Sequence, residues 1–171
     1  RQLETKSIAY VKLGDDKGDT FFKELQKYAR VHEVKAEKLD ELLDKLKPYN
    51  TVIVGLHRSN ANPWKSYKFT NKELVWLYEI ARTNTIILDV FVKPYVLLDL
   101  NSVTNIESVI VSYQNSEIAQ QKSAQIIFGA IPSKGTLPVS AGEYFKVGQG
   151  EQYNAISRLS YTIPERVGMS S

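Results

Sequence analysis

His57 opens the stretch "HRSNANPWKSYKF" (57–69), where a histidine, an arginine, two asparagines and three aromatic rings follow directly on the apolar run "TVIVGL" (51–56). Polar and aromatic side chains on a loop behind a buried strand are the groups that orient and stack on a small ligand. Trp64, Tyr67 and Phe69 can stack on a sugar or a partner surface, or staple the loop onto the helix that follows, and the sequence leaves both open. His57 taken alone reads as an ordinary loop histidine, and His32 as a solvent-facing residue of an edge strand. A receiver-like acidic pocket would need Asp15 and Asp16 of "GDDKGD" (14–19) together with Asp89. Asp89 falls inside its strand rather than at the end, and no lysine follows "SVIVSY" (108–113). The aspartates therefore read as solvated turn residues, and no metal or other cofactor is expected.

Other chemistries are excluded by what the spacing lacks. Neither GxGxxG nor GxxxxGK[ST] follows the first strand, and two adjacent aspartates there would repel phosphate. No serine sits in GxSxG. Glycoside hydrolysis needs two carboxylates about 5–9 Å apart across the scissile bond, and none pair at strand ends. The chain has no cysteine, which removes thiol nucleophiles, disulfides and Cys-based zinc sites. Read alone, the chain carries no catalytic machinery.

The elements that hold these residues follow from periodicity. The 171 residues are 43% hydrophobic and 24% charged, which suits one domain with its own core. A net charge of +3, with no basic cluster interleaved with aromatics, does not suit nucleic acid. No apolar run approaches the ~18 residues of a membrane span, and no signal-peptide pattern opens the chain. The chain starts at Arg1 and its one methionine is Met169, so a processed chain or a piece of a longer one is expected.

"SIAYVKL" (7–13) reads as a strand ending in a Gly14-Asp15-Asp16 turn. Asp19 is placed to cap a helix with Phe21, Phe22, Leu25, Tyr28 and Ala29 on one face. "RVHEVKA" (30–36) reads as an edge-side strand. Leu39, Leu42, Leu43 and Leu46 mark a helix that Pro48 stops. "TVIVGL" is a strand covered on both faces. Thr70 and Glu73 form a capping box before a helix with Leu74, Leu77, Tyr78 and Ala81 in register. "TIILDVFV" (85–92) and "SVIVSY" (108–113) are further buried-type strands. Ser116 is placed to cap a last helix with Ala119, Ser123, Ile126, Ile127 and Ala130 on one side. "TLPVS" (136–140) reads as an edge strand, because Pro138 cannot donate to a ladder. The expectation is an α/β, three-layer αβα sandwich with an open, mostly parallel six-stranded sheet over 1–142. Residues 143–171 read as an extension or linker.

The corner "IFGAIPSKGTLPVS" (127–140) is dense in backbone devices. Gly129 stands where a helix end calls for a left-handed residue, Pro132 prevents continuation, and Gly135 permits a tight turn. With the helix before it, this corner resembles the "G…P.G.LPVS" segment of the C-terminal α/β sandwich domain of family 3 glycoside hydrolases. Gly129, Pro132, Gly135, Leu137, Pro138, Val139 and Ser140 match it. "DVFVKPYVLLDL" (89–100) is similar to the family's segment after the preceding strand, at Pro94 and Tyr95.

The resemblance implies a domain packed beside an N-terminal (β/α)8 barrel that carries the nucleophilic aspartate. In the glucosidase branch this domain adds an acid/base glutamate in a "VVVGE" context. The similar position here is Leu56, which transfers no proton, so the resemblance points to the β-N-acetylglucosaminidase branch. There the domain is non-catalytic: it buttresses the barrel, and loop 57–69 walls the sugar cleft. His57, Arg58, Asn60 and Trp64 are then the candidate substrate contacts. The same resemblance implies a bacterial, periplasmic or secreted parent and, through the connector-like "SRLSYTIPERVGMSS" (157–171), a downstream β-lactamase-like domain. The competing expectation is an independent flavodoxin-like module that binds a nucleotide or small ligand between strands 1 and 3.

Overall fold

Thr51–His57 is buried at all seven positions, as an uninterrupted apolar run requires, and it forms the centre of the sheet as strand β3. The computed structural model describes residues 7–61, 64–102, 104–133, 135, 145, 148 and 150. Around β3 lie β1 (Ile8–Gly14), β2 (Val31–Glu33), β4 (Thr85–Phe91) and β5 (Ile106–Val111) in the order β2-β1-β3-β4-β5, and every pairing is parallel. The expected α/β class is observed, with five strands among the described residues. The sixth, expected at 136–140, lies outside them, as do Leu137, Pro138 and nearly all of the 143–171 extension.

Helices cover both faces. α1 (Asp19–Leu25) and α4 (Glu117–Ile127) share one face, packing Phe21, Leu25, Ala124 and Phe128 on Ile8, Tyr10, Ile53 and Phe91. α2 (Leu39–Leu46) and α3 (Asn71–Thr83) line the other, where Leu42, Leu46, Leu77 and Ile80 meet Val11, Val54, Leu56 and Leu88. A strand's side chains alternate between faces, so the even positions 8, 10 and 12 of β1 point toward α1 and α4. The β4–β5 connection carries a 3-10 turn, Pro94–Asp99, in place of an α-helix; Pro94 leads it and is buried, while Tyr95 is exposed.

The caps follow the sequence at three helix ends and depart from it at one. The Thr70–Glu73 box is complete, with Glu73 N–H donating to Thr70 Oγ1 at 3.1 Å and Thr70 N–H to Glu73 Oε2 at 3.3 Å. Ser116 Oγ accepts from Ala119 N–H at 3.2 Å. At the end of α4, Gly129 (φ 70°) lets its own N–H reach Ile126 O and that of Ala130 reach Gln125 O, a Schellman closure. Asp19, in contrast, is the first residue of α1 rather than its cap. Gly18 takes the cap position and offers no side chain.

Candidate functional site

Open parallel sheets bind ligands beyond the carboxyl ends of their strands, where the strand order reverses. Here the reversal falls between β1 and β3, whose last paired residues are Gly14 and His57. Gly14 has φ 93°, and a Cβ there would collide with the His57 carbonyl oxygen, which accepts from Asp16 N–H at 3.2 Å. This close approach is what the Gly14-Asp15-Asp16 turn requires.

His57 is the last residue of β3 and fully buried, not a loop histidine. Its ring turns back over Gly55 and stacks on Phe91, with centroids 4.5 Å apart. Nε2 accepts from the Tyr10 hydroxyl at 2.8 Å, and Nδ1 lies 2.7 Å from Asn115 Oδ1. The protons are fixed by the partners beyond. Asn115 Nδ2 donates to Asp16 Oδ2 at 3.0 Å and Lys17 O at 2.9 Å, both acceptors, so its oxygen faces His57. His57 therefore carries its proton on Nδ1 and leaves Nε2 free to accept. Gln120 Nε2 adds a bond to Asn115 Oδ1 at 2.8 Å, while Gln120 Oε1 takes Phe21 N–H at 2.9 Å.

That last bond explains the α1 cap. A Cβ on Gly18 or Gly55 would lie 2.6 Å from His57 Nε2, so neither position accepts a side chain. α4 supplies the missing acceptor across the interface instead.

Burial holds the His57 pKa down from 6.5 to about 4, against the opposing pull of the Asn115 bond. The Tyr10 hydroxyl is pushed well above its ordinary value, first by burial and then by Glu33, Asp89 and Asp19. A neutral imidazole with both nitrogens engaged and no exposed surface is a keystone between β1, β3 and α4. It cannot exchange protons with a bound substrate.

Arg58 is buried beside it and anchors the long loop. One Nη2 donates to Lys68 O at 2.9 Å and to Glu73 Oε1 at 2.8 Å, and Nη1 lies 3.8 Å from Asp15 Oδ1. Asp15 also pairs with Lys65, and that bond, ahead of the two cations' charge, holds its carboxyl below the usual range. The Asn115 bond does the same for Asp16. Arg58 and Lys65 thus already face two carboxylates, Asp15 and Glu73, while Lys12 Nζ donates to the carbonyl oxygens of Gly14 and Asp16. Tyr67 and Phe69 pack toward the core, whereas Asn60 and Trp64 stand outside, Trp64 at 93% exposure.

Asp89 is separate from the other two aspartates. It is fully buried in β4 and accepts from Ser112 Oγ at 2.8 Å and from Ser123 Oγ on α4. Burial, opposed by these two bonds, raises its pKa from 3.8 to about 7. The three carboxylates weighed as one acidic pocket therefore serve three different sets of partners. Among the described residues no cluster of three His, Asp or Glu side chains is placed to hold a metal, and no helix is long and apolar enough to cross a membrane.

The structure divides the four sequence candidates into two buried anchors, His57 and Arg58, and two exposed residues, Asn60 and Trp64. Sequence reasoning missed Tyr10, Asn115 and Gln120. One signal was available: glycines at 14, 18 and 55 mark where backbone or ring comes too close for a side chain.

No protein-family model matches the chain, and no curated protein matches it in sequence. Two solved structures are similar. "Beta-glucoside phosphorylase BglX" aligns with a TM-score of 0.53 and 17% identity, over 75% of this chain and 24% of that one. A CheY-like protein (tadZ) from Pseudomonas aeruginosa PAO1 aligns with a TM-score of 0.38 and 15% identity, over 75% of this chain and 99% of that one. The likeness to the phosphorylase is one of fold, and this chain spans about a quarter of its length.

Proposed function

We propose that this chain is the non-catalytic α/β sandwich domain of a larger carbohydrate-processing enzyme, of the family 3 glycoside hydrolase type and closest to the β-N-acetylglucosaminidase branch. The observation that carries the reading is the fold likeness, in which three quarters of this chain fits a quarter of a β-glucoside phosphorylase. The corner residues Gly129, Pro132 and Gly135 and the Pro94-Tyr95 pair add to it from the sequence.

The chemistry of the carboxyl edge supports a supporting role. Asp15 and Asp16 are held ionised by their partners, and Asp89 is sealed inside the sheet where no glycosidic oxygen reaches. Leu56, at the position the resemblance gives to an acid/base glutamate, is buried in the core. Among the described residues, Asp15, Asp16 and Asp89 do not form the pair of carboxylates that glycoside hydrolysis needs. Among the described residues, six large hydrophobic side chains are exposed, and five of them follow the carboxyl ends of β3, β4 and β5: Trp64, Tyr95, Leu98, Tyr113 and Ile118. That edge suits the face turned toward a barrel and its sugar, with Arg58 bracing the loop that carries Asn60 and Trp64.

The strand order 2-1-3-4-5 favours one alternative, a flavodoxin-like binding module. Its crevice is already filled, however. Phe21 N–H at the start of α1 is taken by Gln120, and the carboxylates of Asp15 and Asp16 at the turn after β1 would repel a phosphate. Titration with flavin mononucleotide should give no binding. The main reading is tested by deleting this domain from the parent polypeptide that contains the barrel. Loss of chromogenic N-acetylglucosaminide hydrolysis is expected, and full activity without the domain would overturn the buttress role.

A further inference from the structure

Tyr95 and Leu98 stand outward on the 3-10 turn Pro94–Asp99, while Pro94, Val96 and Leu97 are buried beneath them. Side chains three apart on such a turn lie one above the other, so the two form a single apolar stripe about 6 Å long. Tyr95 is 44% and Leu98 54% exposed. Asp99 Oδ2 accepts from Phe69 N–H at 3.0 Å, which sets the end of the stripe against Lys68 and the first turn of α3. Lys93 precedes the turn and stands at the other end.

The charge around the stripe is not explained by local structure. Lys72 is the second residue of α3, at the positive end of the helix dipole, where a cation is disfavoured. Its Nζ rests 4.8 Å from the Trp76 ring centroid. Among the described residues, none of Lys68, Lys72 and Lys93 pairs with a carboxylate. The acids beside them are already engaged: Glu73 by Arg58, Asp15 by Lys65 and Arg58, and Asp99 by Phe69 N–H. With every one of these groups included, five cations stand against three carboxylates. The remaining charges nearby bring no excess of acid. Glu79 and Arg82, further along α3, pair with each other. Asp16 and Lys17, across the crevice, are one of each sign and meet at Asn115. A cation that breaks a local rule without a local gain points to a role outside the domain's own stability.

We infer that this face docks an acidic protein surface, with the Tyr95–Leu98 stripe filling its apolar centre and Lys68, Lys72 and Lys93 pairing with carboxylates around it. The occupant is the remainder of the parent polypeptide, which rests on the reading that this chain is one domain of a larger enzyme. An apolar centre inside a charged rim is the anatomy of a protein interface. Two other anionic partners fit less well. Phosphates of a nucleic acid are best held by a free guanidinium fork, and Arg58 is buried on Glu73. Anionic bilayers recruit clusters of roughly four to eight basic residues, more than the lysines at this stripe.

The test compares lysine acetylation in this chain alone and in the intact parent polypeptide. Separate samples are treated with a carbodiimide, which joins lysines only to carboxylates in direct contact. Lys68, Lys72 and Lys93 should acetylate roughly fivefold more slowly in the parent, and exposed Lys47 at the opposite edge of the sheet equally in both. The three should couple to Asp or Glu residues outside this chain. Lys72→Glu suits the helix N-terminus better, so it should stay folded yet restore acetylation of Lys68 and Lys93 in the parent. Replacing Tyr95 and Leu98 together with serine should do the same. Equal acetylation in both samples would leave the face open and overturn the inference, even where the parent hydrolyses a chromogenic N-acetylglucosaminide and the larger-enzyme reading stands. Protection and coupling in a parent that hydrolyses nothing would uphold the docking face and remove the carbohydrate reading. Protection without coupling to an outside carboxylate would mean that the covering surface is not acidic, and would refute the inference. Protection already present in the isolated chain and lost on dilution would give the face to a second copy. Sedimentation of the chain with phosphatidylglycerol vesicles, abolished in Lys72→Glu, would give it to a membrane. Either result overturns the inference.

Discussion

Replacing Asp89 with asparagine should turn a nearly flat pH dependence of stability between pH 4 and 6.5 into one that rises with pH. Asp89 binds its proton more tightly folded than unfolded, its pKa rising from 3.8 to about 7. The stability it contributes is therefore complete below pH ~4 and is lost as the pH rises through 7. At ~1.4 kcal/mol per pKa unit, a rise of roughly three units costs the wild type about 4 kcal/mol by pH 8. His57 acts in the opposite sense, its pKa falling from 6.5 to about 4. It withdraws about 3 kcal/mol as the pH drops through that window.

Between pH 4 and 6.5 these two slopes nearly cancel in the wild type. In Asp89→Asn only the His57 slope remains, because asparagine keeps the shape and can still bond Ser112 and Ser123. All other groups are common to both proteins and drop out of the difference. Urea unfolding at pH 4.5, 6 and 8 should show the variant's lead over the wild type growing with pH, from about 1 kcal/mol at the lowest to about 4 kcal/mol at the highest. A stability difference that does not change with pH would refute the burial and protonation assigned to Asp89.

The remaining predictions concern the keystone and the loop anchor. Gly18→Ala places a Cβ 2.6 Å from His57 Nε2 and should cost about 2 kcal/mol, read from the urea midpoint. Gln120→Ala removes the cap that α1 borrows from α4, and should cost about 1–2 kcal/mol with faster amide exchange concentrated in α1. Glu73→Gln leaves the buried Arg58 guanidinium with Asp15 at 3.8 Å as its remaining carboxylate and should cost about 2 kcal/mol at pH 7, measured by thermal melting.

The architecture was legible wherever one face of an element had to be buried. "TVIVGL" announced a central strand, the leucine spacing gave α2, and the Thr70–Glu73 and Ser116 caps stood where their bonds form. The first cap was misread because Asp19 satisfies a local rule, whereas the Tyr10–His57 pair, joined across 47 residues, decides what fits at Gly18. Gln120 escaped for the same reason. A glutamine on an apolar helix face looks like an interruption until the N–H it satisfies, 99 residues away in sequence, is known. His57 looked bland because its meaning lies in Asn115 and Tyr10, which no spacing rule connects to it. Arg58 gave no sign of being a brace, since its partner Glu73 already had a local role in the capping box.

The most direct test of the central claim is hydrolysis of a chromogenic N-acetylglucosaminide by this chain alone and by the longer polypeptide of its parent reading frame. With Asp15, Asp16 and Asp89 engaged elsewhere, the account predicts silence from the chain alone and turnover by the longer protein. Hydrolysis by the isolated chain would contradict the account, since none of Asp15, Asp16 and Asp89 as placed here can supply it.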